Sequence, residues 1–124
     1  MKISHFLLVF AGSGLGGIVR IFISGRLFPH SHFPFGTLAV NILACFLAGF
    51  FWAHPQVSHP VNPSRQLLLI SGFCGGFSTF SAFGLDLLSL QQKGMPGLSL
   101  AYLFLSLASC MLAVWAGFRL QQIL

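Results

Sequence analysis

A mid-span carboxamide, Asn41, and a run of hydroxyls, glycines and phenylalanines from Gly72 to Gly84 stand in long stretches that contain no charged residue. The amide offers two donors and an acceptor. Far from charged neighbours it either bonds across to another helix or meets a polar ligand. A second set, Ser99, Tyr102, Ser106 and then Ser109 or Cys110, recurs at three- and four-residue spacing, which puts the hydroxyls on one helical face. Phe80 and Phe83, three apart, share a face in the same way. Each feature has a plain reading as packing, since serines back-bond to their own helix and rings fill cores. Together they are amide and hydroxyl donors with the positive edges of aromatic rings, a set that suits a small anion. Several weak contacts without a full charge favour passage over storage. Arg20 either lends a positive potential to a pore mouth or snorkels to lipid headgroups.

Other chemistry lacks its residues. The chain has one acid, Asp86, and no His-Glu-x-x-His, Cys-x-x-Cys or Gly-Lys-Ser/Thr signature. His30 and His32 have no acidic or thiol companion nearby, and Cys45, Cys74 and Cys110 are too few and too scattered for a disulfide framework. The reading is that the protein is not an enzyme.

The elements that hold these groups follow from composition. Of 124 residues 56% are hydrophobic and 6% charged, against about a quarter charged in a soluble domain. The class is a multi-pass integral membrane protein forming one domain over residues 1–124. The net charge of +5 comes from six basic residues scattered singly, which flank membrane spans rather than form a nucleic-acid patch. Lys2 and the apolar stretch after it have no clear cleavage motif, so the N-terminus is expected to be retained.

Charge-free stretches long enough for about 20 residues of membrane helix give four spans, near residues 4–25, 34–53, 63–92 and 96–122. Pro29, Pro34, Pro55, Pro60 and Pro63, with His30, His32, His54 and His59, bracket the second span. Pro34 and Pro96 are expected in first helical turns. Small residues four apart, as in Gly12/Gly16 and Cys45/Gly49, let helices approach closely. The glycine-rich third span is a poor continuous helix, so an interruption over a lined cavity or bound ion is expected there. An even number of spans leaves Lys2, Arg65 and Arg119 on one side and Arg20, Arg26 and Lys93 on the other. The balanced tally instructs neither orientation, which predicts dual topology and an antiparallel pair of copies.

Three motifs in order resemble the Fluc/CrcB family of fluoride channels: residues 12–20 (GSGLGGIVR), residues 35–41 (FGTLAVN) and residues 72–83 (GFCGGFSTFSAF). The third is the most specific. The resemblance implies an all-α dual-topology homodimer in the cell inner membrane, with a broken third helix and two pores that export fluoride passively. It also implies a structural Na⁺ at the dimer centre, held by the backbone carbonyls of Gly75 and Ser78. Asn41, Phe80, Phe83, Thr79, Tyr102 and Ser106 would line the fluoride path, with Arg20 toward a vestibule. Cys110 stands where the family often has serine, Asp86 where glutamate is common, and Gly84 where serine is common. The rival reading is a small dual-topology proton-coupled multidrug exporter, which needs an intramembrane carboxylate.

Overall fold

The computed structural model describes residues 2–27, 29–58 and 63–124. His59 and Pro60 of the cluster above lie outside them. Four helices are long and apolar enough to cross a membrane: Ile3–Ser24, Phe35–Ala53, Pro63–Gln92 and Pro96–Ile123. The described residues contain no strand. In finer division, α1 is Ile3–Ser24, α2 Phe35–Ala53, α3 the single turn Pro55–Ser58 and α4 Pro63–Gln66. A π-helical stretch, Leu67–Cys74, leads into α5, Gly75–Phe77; α6 is Phe80–Gln92 and α7 is Pro96–Ile123.

Local chemistry sets the helix ends. Pro96 occupies the first turn of α7, where a missing N–H leaves nothing unsatisfied. Pro34 instead stands one position outside α2, with ψ of 64°. Its carbonyl already accepts the Leu38 N–H at 3.1 Å, while the Phe35 N–H is taken by the Phe33 carbonyl. It therefore acts as a cap. Between α6 and α7, Gly94 adopts a left-handed φ of 73°, and the Met95 N–H returns to the Leu90 carbonyl at 2.9 Å. Glycine takes that conformation without a steric penalty.

Glycines decide which helices touch. A Cβ on Gly12 would fall on the Leu68 carbonyl and one on Gly16 on the Phe73 carbonyl, so α1 lies against the third span backbone to backbone. Gly49 meets Val114 and Gly117 meets Phe46 and Phe50 in the same manner. Between α1 and the third span the residue numbers climb together, and between α2 and α7 Leu38 packs with Tyr102 while Gly49 meets Val114 further on, so α1 runs parallel to the third span and α2 parallel to α7. Backbone approach of this kind is how helices bind where lipid supplies no hydrophobic drive.

Two small cores result. Leu38, Phe83, Leu90 and Tyr102 pack in one and Val40, Ala44 and Phe77 in the other. Outside them, Phe6, Leu7, Phe10, Ile18 and Ile21 on α1 and Phe104, Met111, Leu112 and Trp115 on α7 are exposed. Such faces belong against hydrocarbon, and together with the four apolar helices they describe a multi-pass membrane protein.

Candidate functional site

The site is organised around two residues with extended backbone. After α5 ends at Phe77, Ser78 has φ −75°, ψ 159° and Thr79 has φ −151°, ψ 113°; α6 begins at Phe80. Backbone polar groups at that depth require partners, and α2 supplies them. Asn41 accepts from the Thr79 N–H at 2.7 Å and donates to the Thr79 carbonyl at 3.1 Å. The amide thus satisfies both groups of one residue, leaving one N–H uncommitted by these bonds.

The same rearrangement takes the usual helical donors from two carbonyls. In a continuous helix the Thr79 N–H would go to Gly75 and the Ala82 N–H to Ser78. Here Thr79 donates to Asn41, and Ala82 donates to the Thr79 hydroxyl at 3.1 Å. Gly75 and Ser78 lose the donors that helix continuation would give them. Gly75 is also exposed, and only the Ile70 carbonyl of its own span, at 3.7 Å, lies within 4 Å of where its Cβ would stand.

Beside Ser78 and Thr79 opens a cavity of about 230 Å³, walled also by Asn41, Cys45, Phe80, Phe83, Ser106, Leu107 and Cys110. Five of the six residues expected along an anion path therefore meet in one space. Phe80 and Phe83 have ring centroids 5.6 Å apart, but their settings differ: Phe83 is 5% exposed and Phe80 81%. Ser106 Oγ is buried and, among the described residues, has no hydrogen-bond partner. It interacts with the Tyr102 hydroxyl without a well-formed hydrogen bond, and a hydroxyl so weakly held keeps a donor for a ligand.

Tyr102, the sixth, is fully buried and lies behind the wall. Its ring sits 5.2 Å from Phe83, and its hydroxyl donates to Asp86 Oδ2 at 3.2 Å. Asp86 in turn faces a second, more polar cavity of about 350 Å³, which also contains Ser24, His32, Thr37, Ser89 and Lys93. Phe83 and Tyr102 thus stand between the two spaces. Arg20 lines neither cavity. The track on α7 is also not uniform: Ser99 bonds to the Leu87 carbonyl at 3.1 Å and Ser109 back to the Leu105 carbonyl at 2.6 Å. Of the alternatives at the end of the track, Cys110 reaches the cavity and Ser109 turns away.

Sequence reasoning missed the Asn41 to Thr79 pairing, the polar cavity around Asp86, and the thiol wall. A signal for the last was present. Cys45 lies one helical turn beyond Asn41 and Cys110 one turn beyond Ser106.

Residues 7–118 match the profile of a family described as "CrcB-like protein, Camphor Resistance (CrcB)". Among curated relatives, the chain is 38% identical over 121 residues to the fluoride-specific ion channel FluC of Rhizobium meliloti (strain 1021), covering 96% of this chain and 97% of that one. It is 41% identical over 123 residues to FluC of Chlorobium phaeobacteroides (strain BS1), covering 98% and 96%. The archaeal FluC of Pyrococcus horikoshii is 38% identical over 122 residues, covering 98% and 99%.

Proposed function

The chain belongs to the CrcB-like family, and from that membership we propose that it is a fluoride-specific channel, passing fluoride passively across the cell inner membrane and lowering its concentration inside. The observation that carries this reading is the buried Ser106 hydroxyl, held by no well-formed hydrogen bond among the described residues, in a cavity edged by Phe80 and Phe83. Fluoride holds its water tightly, and a path for it must replace that water with close donors. Asn41, Thr79 and Ser106 provide polar groups, and ring edges add positive potential without a charge that would trap the ion. Chloride, being larger, fits such donors poorly. Tyr102 holds Phe83 in place and joins the path toward Asp86, and Arg20 lends its charge to an aqueous vestibule.

We propose further that two copies pair in opposite orientations, each third span being interrupted at Ser78 and Thr79. Support comes from that span's uncovered side: Ser71, Gly75, Phe80, Ser81 and Gly84 are all exposed there, a polar and small-residue strip poorly suited to lipid. The carbonyls of Gly75 and Ser78, deprived of helical donors, fit a hard monovalent cation such as Na⁺. Two from each copy would hold it. When bound, the ion supplies a fixed positive charge near the path.

Reconstituted protein is expected to release fluoride from liposomes rapidly, without chloride, and at the same rate with or without a pH gradient, read by a fluoride electrode. Strict dependence on the gradient would instead favour proton-coupled export. Against that rival, Asp86 is the chain's one acid and is engaged by Tyr102.

Orientation is tested by charge. Replacing exposed Gln91 and Gln92 by lysine beside Lys93 biases insertion, and cellular fluoride resistance is expected to fall at least tenfold. Co-expression with a chain carrying Gln121→Lys and Gln122→Lys at the other membrane face should restore it. Full resistance from the biased chain alone would exclude a required antiparallel pair.

A further inference from the structure

The cavity has a feature that fluoride passage does not use. Two of its wall residues are free cysteines, Cys45 on α2 and Cys110 on α7. The helices that carry them are parallel and locked by Gly49 against Val114. One turn back along both, Cys45 comes opposite Cys110; a second turn back brings Asn41 opposite Ser106. The two thiols line the same cavity wall and lie close enough to interact electrostatically. Beside them is the buried Ser106 hydroxyl, which has no well-formed hydrogen bond among the described residues.

We propose that Cys45 and Cys110 form a binding site for one soft, two-coordinate metal cation, of which mercury(II) is the type, and that its occupancy closes the cavity to fluoride. Thiolate sulfur selects soft ions over the hard cations common in water. Ions that demand four ligands have no place here, because among the described residues no group of three or more His, Cys, Asp or Glu side chains is positioned to hold a metal. A linear ion needs only the pair. The exchange is balanced: two S–H bonds break, two S–Hg bonds form, and two protons leave for water as Hg²⁺ enters. Charge is conserved at the site, which begins as two neutral thiols and ends as a neutral bis-thiolate. The cost of placing a net charge at membrane depth is therefore avoided. The bound ion stands in the wall of a space of about 230 Å³ shared with Thr79, Phe80, Phe83 and Ser106, beside the groups that would receive fluoride, so it blocks by position rather than by filling the volume. Metal binding rests on the thiol geometry alone, whereas closure also rests on the channel reading.

The test uses the full chain, purified under reductant, desalted and exposed to mercuric chloride. One equivalent is expected to lower the thiols titratable after unfolding from three per chain to one. The same addition should cut fluoride efflux from proteoliposomes at least tenfold, with recovery on adding dithiothreitol. Cys45→Ser and Cys110→Ser, each compared with its own untreated rate, should lose at least nine-tenths of that inhibition. Thiol counts unchanged by stoichiometric mercury, or inhibition that persists when both residues are serine, would overturn the site. Mercury held by both thiols with undiminished efflux would overturn closure. Absence of fluoride efflux before any mercury is added would count against the channel reading, and the thiol count would still decide the metal site.

Discussion

Replacing Asn41 by leucine is expected to abolish fluoride efflux, by at least a hundredfold, and to lower the thermal stability of the protein in detergent. The size of the effect follows from what the amide holds. It satisfies both the N–H and the carbonyl of Thr79, and leucine, of similar branching shape, satisfies neither. Each orphaned group costs about 1–3 kcal/mol, so the pair removes about 2–6 kcal/mol from a typical stability of about 5–15 kcal/mol. Asn41→Asp separates the two bonds. A carboxylate still accepts from the Thr79 N–H, but sets an oxygen against the Thr79 carbonyl and adds charge, so this variant should also lose efflux. Unchanged melting in Asn41→Leu would show that the amide does not brace the third span.

Phe83→Ile is the second large effect, with efflux expected to fall more than tenfold. Phe83 is 5% exposed and packs 5.2 Å from the Tyr102 ring. Isoleucine keeps most of the apolar volume but has no polarised edge. Aromatic contacts are worth about 0.5–1.5 kcal/mol beyond area, and a tenfold rate change is about 1.4 kcal/mol. Losing edge contacts on an anion accounts for the change. Phe80 makes the control informative, because at 81% exposure it contributes little to the fold of one copy. Phe80→Ile should therefore match the loss of efflux with less loss of stability. Normal efflux in both variants would remove the rings from the mechanism.

Why some of this could be read from the residues, and some not, has a physical basis. The four spans were legible because a membrane helix must be long, apolar and nearly free of charge, and the chain's seven charged residues mark the boundaries. Asn41, Phe80, Phe83 and Ser106 stood out because polar groups and paired rings are conspicuous in such stretches. Their partners were not legible. That Asn41 serves Thr79 is a contact across 38 positions between main chain and side chain, and no spacing rule encodes it. The π winding of Leu67–Cys74 was equally hidden, since its leucines and isoleucine would serve an ordinary α-helix. Ser109 and Cys110 were both compatible with the track, and only the rotation of α7 against α2 turned the thiol inward. The capping role of Pro34 was one position from the expected first turn, within the imprecision of any helix boundary.

The parallel seam between α2 and α7 also governs which changes in chain length the protein survives. Thr37 faces Tyr102, Asn41 and Cys45 share a cavity wall with Ser106 and Cys110, and Gly49 meets Val114, like the teeth of two racks advancing together. Losing one residue inside either rack turns everything beyond it by about 100°, so every later tooth misses its mate. Residues gained or lost between Ala53 and Pro63 leave both racks aligned. Drift in length among descendants of this chain should therefore accumulate in that connection and spare the racks, even where the individual teeth are exchanged.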